Sequence, residues 1–347
     1  MTNARWIWVD LENTPHVLFL SPIARALELA GWPTRFTAKP QAQTLDLAEA
    51  CGLNVSTIGS GDFRGRWQKI TGNGVRALAL ARWLARSERP QLLLSSSRSA
   101  SLAARLAGIP AIGFLDYEHA SHLVMDLCNQ VLWLPDLLRG SPLGRAGDRI
   151  ARYYPGLKEN LYLDMWPLDR RAERSLLGVV DSEYLVIARP PAGAAHYANE
   201  MGETMWLSVI RRILEWPTAR VVVVPRDRIQ GQALESKIPP DPRIAVLTAV
   251  RPGPGLVAAA DLVVGGGGTM NREAAVLGVP AWSTFLGPTP RIDACLASEG
   301  RLRWVRTTED LMAAMSDSPP SKGPRRGPFP DGLETILADT LPRLRGR

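Results

Sequence analysis

Apolar and polar positions along the chain follow two alternating patterns. Short runs of uninterrupted apolar residues are separated by longer stretches in which apolar residues recur every three or four positions. The first pattern is typical of strands buried on both faces, and the second of amphipathic helices. In the first half, the predicted strands are residues 5–11, 34–38, 54–58, 91–95, 111–116 and 131–134. Strands that alternate with helices in this way indicate a parallel sheet.

Three of the helices between these strands end at a glycine. The predicted helices at 15–30, 44–51 and 100–107 are followed by Gly31, Gly52 and Gly108. Glycine adopts the left-handed conformation that commonly ends a helix, so these positions mark helix ends.

The same alternation restarts after Pro167. A linker helix at 169–177 precedes predicted strands at 184–188, 220–224, 244–247, 262–264 and 281–284. Residues 316–330 are rich in proline, glycine and serine and read as a surface connection, and the helix at 333–344 is expected to pack back on the first domain. The prediction is an α/β protein with two Rossmann-like, doubly wound parallel-sheet domains, residues 1–165 and 166–347, facing a cleft.

Composition fits this two-domain interpretation. The chain has 347 residues, of which 46% are hydrophobic and 22% charged, as in globular proteins. No run of eighteen apolar residues occurs, and the first ten residues do not resemble a signal peptide. Cys51, Cys128 and Cys295 lie far apart, so neither a disulfide framework nor a zinc site is expected. A cytoplasmic protein is predicted.

The net charge is +7, and one segment is strongly basic. Between positions 64 and 105, nine cations face only Glu88 as an acid, and Trp67 and Trp83 lie among them: Arg64, Arg66, Lys69, Arg76, Arg82, Arg86, Arg89, Arg98 and Arg105. A solvated helix face and a surface that rests on anionic lipid headgroups both remain open. No nucleic acid is expected as a partner, because no nucleic-acid-binding signature accompanies the charge.

A glycine-rich turn follows the predicted strand at 262–264. Gly265, Gly266, Gly267 and Gly268 precede Thr269 and a helix that closes at Gly278. Backbone amides at such a helix start would face an anion such as a diphosphate, whereas the alternative is merely a tight turn. The turn lacks the lysine of a P-loop and the third glycine of the dinucleotide fingerprint.

Glu273 follows this turn. If Thr269 is the N-cap, the capping-box position is Arg272, so Glu273 is not needed to cap the helix. It would either interact favourably with the helix dipole or accept hydrogen bonds from the two hydroxyls of a ribose.

Two loops of the first domain carry groups suited to proton transfer. Thr14 is predicted to cap the first helix, with Pro15 at the first helical position and His16 in the first turn. His16 is a candidate general base, and Asn13 and Thr14 are candidate acceptor or sugar contacts. The alternative is a surface histidine at a helix start.

The second of these loops contains Asp116, Tyr117, Glu118, His119 and His122. Asp116 and Glu118 are candidate catalytic carboxylates, and Tyr117 and His119 candidate acceptor or sugar contacts, with structural hydrogen bonding as the alternative. No metal is expected, because the H-x-x-H spacing lacks a third ligand.

These motifs resemble those of the glycosyltransferase-B superfamily. The glycine-rich turn with Thr269 and Glu273 is similar to the nucleotide-binding element of the lipid-linked GlcNAc transferase of peptidoglycan synthesis and of the UDP-GlcNAc 2-epimerases. The segments 8–16, 116–119, 189–191 and 195–197 look like those of a bacterial and archaeal domain of unknown function in that superfamily.

The resemblance implies further nucleotide contacts. Arg189, at the end of the first strand of the second sheet, would contact the diphosphate, with His196 and Tyr197 nearby. Arg98 is a weaker candidate, since the serines around it would equally cap a helix.

The function implied is a metal-independent glycosyltransferase without a cofactor. It would move a sugar from a nucleotide-sugar donor, UDP-linked by resemblance, to a hydroxyl acceptor in cell-envelope polysaccharide or glycolipid synthesis. A lipid-linked acceptor would suit the basic segment and a peripheral position on the inner face of the plasma membrane. A nucleotide-sugar 2-epimerase or hydrolase and a non-catalytic nucleotide-sugar-binding protein stay open as alternatives.

Overall fold

The computed structural model describes residues 5–60, 66–119, 122–141, 144–191, 197–316, 319–323 and 332–346. The chain divides into two compact units. Unit 1 comprises Met1–Tyr162 and Phe329–Arg347, and unit 2 comprises Leu163–Pro328.

Unit 1 contains a parallel sheet flanked by helices. Its strands are β1 (Ile7–Leu11), β2 (Thr34–Ala38), β3 (Val55–Thr57), β4 (Leu92–Ser95), β5 (Ala111–Phe114), β6 (Val131–Pro135) and β7 (Ala151–Tyr154). The helices between and after them are α1 (Thr14–Leu29), α2 (Thr44–Ala50), α3 (Arg66–Ala85), α4 (Arg98–Leu106), α5 (Leu123–Cys128), α6 (Gly144–Ile150) and α7 (Asn160–Leu163). The strand order is β3-β2-β1-β4-β5-β6-β7, with every pairing parallel.

The direction of each crossover decides which face of this sheet a helix covers. The chain moves outward from β1 to β3 and then, from β3 onward, in the opposite direction to β7. Because such crossovers are right-handed, α1 and α2 lie on one face and α3, α4, α5 and α6 on the other.

Unit 2 repeats this architecture. Its elements are α8 (Arg170–Leu176), β8 (Tyr184–Arg189), α9 (Tyr197–Ile213), β9 (Ala219–Val223), α10 (Arg228–Glu235), β10 (Ile244–Val246), α11 (Gly253–Ala259), β11 (Leu262–Gly265), α12 (Thr269–Leu277), β12 (Ala281–Ser283), α13 (Arg291–Ser298), β13 (Leu302–Trp304) and α14 (Thr308–Ser316). The six strands pair in parallel in the order β10-β9-β8-β11-β12-β13. The last helix, α15 (Gly332–Arg345), packs on α1 and β7 of unit 1.

The predicted fold class is confirmed, and the glycines predicted to end helices do so. Gly31, Gly52 and Gly108 each follow a helix with a positive φ angle. Two strands were not predicted, β7 and β13. Both lie at a sheet edge and are partly exposed, so they lack the uninterrupted apolar run that identifies a central strand.

Two predicted caps differ from the structure. Asn13, and not Thr14, is the N-cap of α1, and Gly268, and not Thr269, is the N-cap of α12. At neither helix start does a side chain of the cap residue accept a hydrogen bond from the amides of the first turn. The alternative that serines beside Arg98 cap a helix is confirmed. Ser97 is the N-cap of α4 and accepts a hydrogen bond from the amide of Ala100, and Arg98 itself is exposed.

Arg76 does not belong to a solvated basic face. Its side chain is 2% exposed, and its two terminal nitrogens donate to both carboxylate oxygens of Asp10, at 2.7 and 3.0 Å. The same guanidinium donates to the hydroxyls of Ser97 and Ser99. Asp10 also accepts from Thr37 at 2.6 Å. This buried pair joins β1, β2, α3 and the start of α4.

Breaking the pair should destabilise the protein strongly. In Arg76→Met, the buried Asp10 carboxylate loses its counter-charge, and we expect a loss of about 3 to 5 kcal/mol in the free energy of unfolding, measured with urea. Arg82→Met, on the exposed side of the same helix, should change it by less than about 0.5 kcal/mol. Equal effects of the two substitutions would show that the pair does not stabilise the fold.

Candidate functional site

The four glycines of the β11–α12 turn are required for different reasons. A Cβ on Gly265 would lie 2.2 Å from Oδ1 of Asn271, and one on Gly266 would lie 2.4 Å from Cα of Pro191. Gly267 faces the ring of Phe285. Gly268 meets no atom within 4 Å, but its φ of +100° is one that other residues rarely adopt. Tight packing therefore explains Gly265 and Gly266, and backbone conformation explains Gly268. Both reasons apply to Gly267, whose φ is +88°.

The helix that follows the turn has an open N-terminus. No side chain caps α12, and its first turn contains no acidic residue. The first backbone amides of a helix have no acceptor within the helix, and its dipole favours an anion there. The amide of Gly266 is already used, since it donates to the carbonyl of Arg189 at 3.1 Å. The amides suited to an anion therefore begin after Gly266.

Two arginines lie at the carboxyl ends of neighbouring strands, β8 and β9. Arg189 ends β8 and donates to the carbonyls of Val224 and Pro225 at 3.1 and 2.7 Å. Burial and the charge of Arg226 lower the pKa of Arg189 to about 9, although Glu273 acts in the opposite direction. Burial also lowers the pKa of Arg226. An incoming anion would favour the charged form of both groups.

Glu273 lies one turn into α12 and is 2% exposed. A Cβ on Gly253 would lie 2.8 Å from its Oε2 atom, so the carboxylate packs directly on the backbone at the start of α11. The neighbouring Arg272 points elsewhere and forms a buried ion pair with Asp293 at 2.7 Å. Arg272 thus stabilises the packing of α12 on α13, while the Glu273 carboxylate lies towards α11.

In unit 1, His16 is buried in the first turns of α1. Its Nδ1 atom accepts a hydrogen bond from the amide of Glu12 at 3.3 Å. Burial and the charge of Lys158 lower the pKa of His16 to about 4, against the opposing charges of Asp10 and Asp116. The neutral ring therefore carries its proton on Nε2. This geometry favours His16 as a hydrogen-bond donor over the general-base role expected from the sequence.

Lys158 follows β7 and lies beside the loop after β5. Its ammonium contacts the carboxylate of Asp116, and Oε1 of Glu159 lies 3.9 Å away. Glu118, in the same loop as Asp116, has a side chain that is 8% exposed, with Oε1 3.7 Å from Nε2 of His119. The two carboxylates predicted as a pair therefore differ, because Asp116 neutralises a lysine and Glu118 lies deeper.

The remaining predicted contacts lie nearer the surface. Asn13 and His119 are exposed, and Thr14 is half-buried with its hydroxyl 3.5 Å from that of Thr44. The Tyr117 and His119 rings meet edge to face with centroids 5.4 Å apart. His196 and the side chain of Tyr197 lie outside the described residues.

Sequence reasoning missed Lys158 and Arg226. Arg226 lies two residues after the predicted strand at 220–224, so its position after a strand end was a usable signal. Lys158 follows β7, the edge strand that the pattern did not reveal.

Neither a cluster of metal-ligating side chains nor a membrane-spanning helix occurs among the described residues. Within them, no group of three histidine, cysteine, aspartate or glutamate side chains is arranged to hold a metal ion. None of the described helices combines the length and apolarity needed to cross a bilayer.

The Gly253 contact gives a stability prediction. Gly253→Ala would push the Glu273 carboxylate aside, and we expect a loss of about 1 to 3 kcal/mol in unfolding free energy. Adding Glu273→Asp, which withdraws the carboxylate, should cost less than the two single effects combined. Gly74→Ala, where a Cβ meets no atom within 4 Å, should stabilise α3 by about 0.5 to 1 kcal/mol. Additive effects of the Gly253 and Glu273 substitutions would contradict the contact.

The pKa of His16 gives a pH prediction. The unfolded chain binds a proton at this histidine near pH 6.5, but the folded protein does so only near pH 4. Stability from the neutral ring is therefore complete above pH 6.5 and is lost as the pH falls towards 4, by up to about 3 kcal/mol. His16→Asn should lose correspondingly less between pH 6.5 and 4 in urea unfolding. An NMR titration of the His16 ring with a midpoint near 6.5 would contradict this assignment.

Known proteins share this architecture. The UDP-GlcNAc 2-epimerase of Methanocaldococcus jannaschii, solved with UDP-GlcNAc and UDP, is 16% identical with a TM-score of 0.72, covering 96% of this chain and 99% of that chain. The epimerase of Neisseria meningitidis, solved with UDP-GlcNAc, is 14% identical with a TM-score of 0.71, covering 97% and 99%. MurG of Acinetobacter baumannii is 15% identical with a TM-score of 0.51, covering 96% and 94%. These likenesses show the glycosyltransferase-B fold.

Sequence comparison identifies the family. An uncharacterised protein of Methanocaldococcus jannaschii is 23% identical over 322 residues, covering 90% of this chain and 91% of that protein. Residues 6–317 match the profile of a family described as "Protein of unknown function (DUF354)". The match spans most of the chain and confirms the predicted resemblance, and the chain belongs to the DUF354 family.

Proposed function

We propose that this protein binds a UDP-sugar through unit 2 and transfers the sugar to a hydroxyl acceptor. The observation that carries the proposal is the combination of charges at one edge of the unit 2 sheet. The uncapped start of α12 and the arginines Arg189 and Arg226 attract an anion, while Glu273 supplies a buried carboxylate. A nucleoside diphosphate has a matching pair of features, an anionic diphosphate and a ribose with two hydroxyl donors.

The diphosphate would be stabilised without a metal. Its oxygens would accept hydrogen bonds from the amides of Gly268 and Thr269 and from the guanidinium of Arg189. Transfer of the sugar leaves negative charge on the departing diphosphate. Groups that already lie in place for that charge lower the barrier, because they need not reorganise during the reaction.

Glu273 would hold the ribose. A carboxylate accepts two hydrogen bonds at once, which suits the neighbouring hydroxyls of a ribose. Its packing against Gly253 fixes its position, and a fixed acceptor loses little entropy when the nucleotide binds.

In unit 1, we assign the acceptor chemistry to Glu118, with His16 and Lys158 in support. Glu118 would accept the proton of the acceptor hydroxyl. His16 would donate a hydrogen bond from Nε2, and Lys158, held by Asp116, would supply positive charge. Asn13, Thr14, Tyr117 and His119 would contact the acceptor or the sugar.

A nucleotide-sugar 2-epimerase or hydrolase is the second candidate. The structural relatives with TM-scores above 0.7 that are described above are UDP-GlcNAc 2-epimerases. In that reaction Glu118 would move a proton at the sugar ring itself. The loop from Glu12 to His16 differs from the Gly-Thr-Arg-Pro-Glu type of opening associated with those enzymes, which favours the transferase.

Calorimetry with UDP tests the nucleotide site. Glu273→Gln keeps the shape of the side chain but removes the charge that strengthens both ribose hydrogen bonds, and we expect UDP affinity to fall at least about tenfold. Glu235→Gln, an exposed substitution at the end of α10, should leave affinity unchanged. Thermal unfolding of both variants checks the fold. Unchanged UDP affinity in folded Glu273→Gln would refute the ribose assignment.

Deuterium incorporation distinguishes sugar transfer from epimerisation at C2. Incubated with UDP-GlcNAc in D₂O, where water takes the place of the hydroxyl acceptor, the parent protein should release UDP and free GlcNAc without deuterium on a ring carbon, since transfer breaks no ring C–H bond. Glu118→Gln should release UDP at least about 100-fold more slowly, whereas Asp46→Asn, an exposed acid on α2, should not. Deuterium at C2 of the sugar would establish the epimerase and overturn the transferase.

A further inference from the structure

Three neighbouring helices of unit 1 expose large aliphatic side chains on one side of the sheet. We call α3, α4 and α5 together the α3–α5 layer. Consecutive helices of the layer contact one another. Its exposed aliphatic side chains have relative exposures between 52% and 65%: Val75, Leu78, Leu106, Leu123 and Leu127. Such a concentration on adjacent helices differs from the scattered apolar residues of an ordinary protein surface.

Arginines share this surface. Val75, Leu78 and Arg82 are spaced to lie on one stripe of α3, and all three are exposed. On α4, Arg98 and Arg105 are exposed seven residues apart. The sequences of α3 and α4 contain no acidic residue. The layer is therefore both apolar and cationic.

The acids nearest this surface are few. Glu88, just after α3, is paired with Arg35 at 3.0 Å, and α5 contains Asp126. On the opposite face of the sheet, α1 and α2 carry the exposed acids Glu28, Asp46 and Glu49. The excess of positive charge in unit 1 thus lies on the side of the α3–α5 layer.

An open depression lies beside the arginine stripe. It has a volume of about 540 Å³ and is lined by Ile58, Ala79, Arg82, Trp83, Arg86 and Ser87. The Trp83 ring is half-buried against Trp6 and Trp8, with centroids 6.0 and 5.8 Å away. An aromatic ring beside two exposed guanidinium groups suits the phosphate and glycerol region of a lipid headgroup.

We propose that the α3–α5 layer docks on the surface of an anionic phospholipid bilayer. The aliphatic side chains would enter the boundary between headgroups and acyl chains, and Arg82, Arg86, Arg98 and Arg105 would contact the phosphates. This surface is separate from the candidate nucleotide site, and the proposal does not depend on the sugar chemistry.

Charge favours a membrane over a second copy of this chain. A two-fold symmetric dimer through the layer would bring the same arginines of the two copies close together, with few acids to compensate. A bilayer of anionic lipids supplies one negative charge per headgroup. Apolar side chains among the arginines are also better matched by lipid than by a nucleic acid, whose backbone is polar throughout.

Sedimentation with vesicles tests the proposal. The parent protein should sediment with vesicles that contain phosphatidylglycerol and much less with vesicles of phosphatidylcholine alone. Arg82→Gln combined with Arg86→Gln should lower the partition coefficient by about 25-fold, at roughly fivefold per cation. Leu78→Ser should weaken binding at fixed charge. The matched controls are Arg25→Gln and Leu29→Ser on α1, where both side chains are exposed on the opposite face, and they should bind as the parent does.

Four outcomes would overturn the proposal. They are no binding of the parent to either vesicle, equal binding to both, equal losses in the α1 controls, and unchanged binding in folded Arg82 and Arg86 variants. Analytical ultracentrifugation addresses the second copy. A parent dimer that Leu78→Ser converts to a monomer, without vesicle binding by either protein, would assign the layer to self-association and refute membrane docking.

Discussion

Parallel strand pairing is the constraint on which the candidate site in each unit depends. All strands of a parallel sheet end at one edge, so the loops that follow them meet there although they are far apart in sequence. In unit 1 this edge carries His16, Asp116, Glu118 and Lys158, and in unit 2 it carries Arg189, Arg226 and the β11–α12 turn. Helices that follow these strands begin at the same edge, where their amides favour an anion.

Buried charges have two different roles in this protein. Asp10 with Arg76 and Asp293 with Arg272 are complete ion pairs that hold helices to their neighbours. Within the described residues, neither Arg189 nor Arg226 forms an ion pair. Arg189 donates to two carbonyl groups, Arg226 lies near Asp227, and burial lowers the pKa of both arginines. An arginine that is desolvated but not paired is less stable than one beside an anion. We therefore infer that the complete ion pairs stabilise the fold and that the unpaired arginines are suited to bind an anionic ligand.

The central strands of both sheets could be predicted from the sequence, but the edge strands β7 and β13 and the contacts between loops could not. Central strands such as β9 and β11 are buried on both faces, so their apolar runs identify them, whereas the edge strand β7 is partly polar and was missed together with Lys158. Helical periodicity could not separate the buried Arg76 from the exposed Arg82 on the same helix. Whether His16 can act as a base depends on which ring nitrogen lacks a proton. The contact of Nδ1 with the Glu12 amide decides this, and that contact exists only in the folded protein. The glycine-rich turn was correctly located, but the reason for each glycine came from Asn271, Pro191 and Phe285.

Nucleotide binding by unit 2 is tested most directly by the unfolding free energy of the parent protein with a panel of nucleotides and nucleotide sugars. A ligand that binds only the folded state adds about 2.7 kcal/mol at 100 times its dissociation constant. We predict this stabilisation with UDP and UDP-sugars, and much less with uridine, which lacks the diphosphate. Equal stabilisation by uridine, or none by any nucleotide sugar, would contradict this prediction.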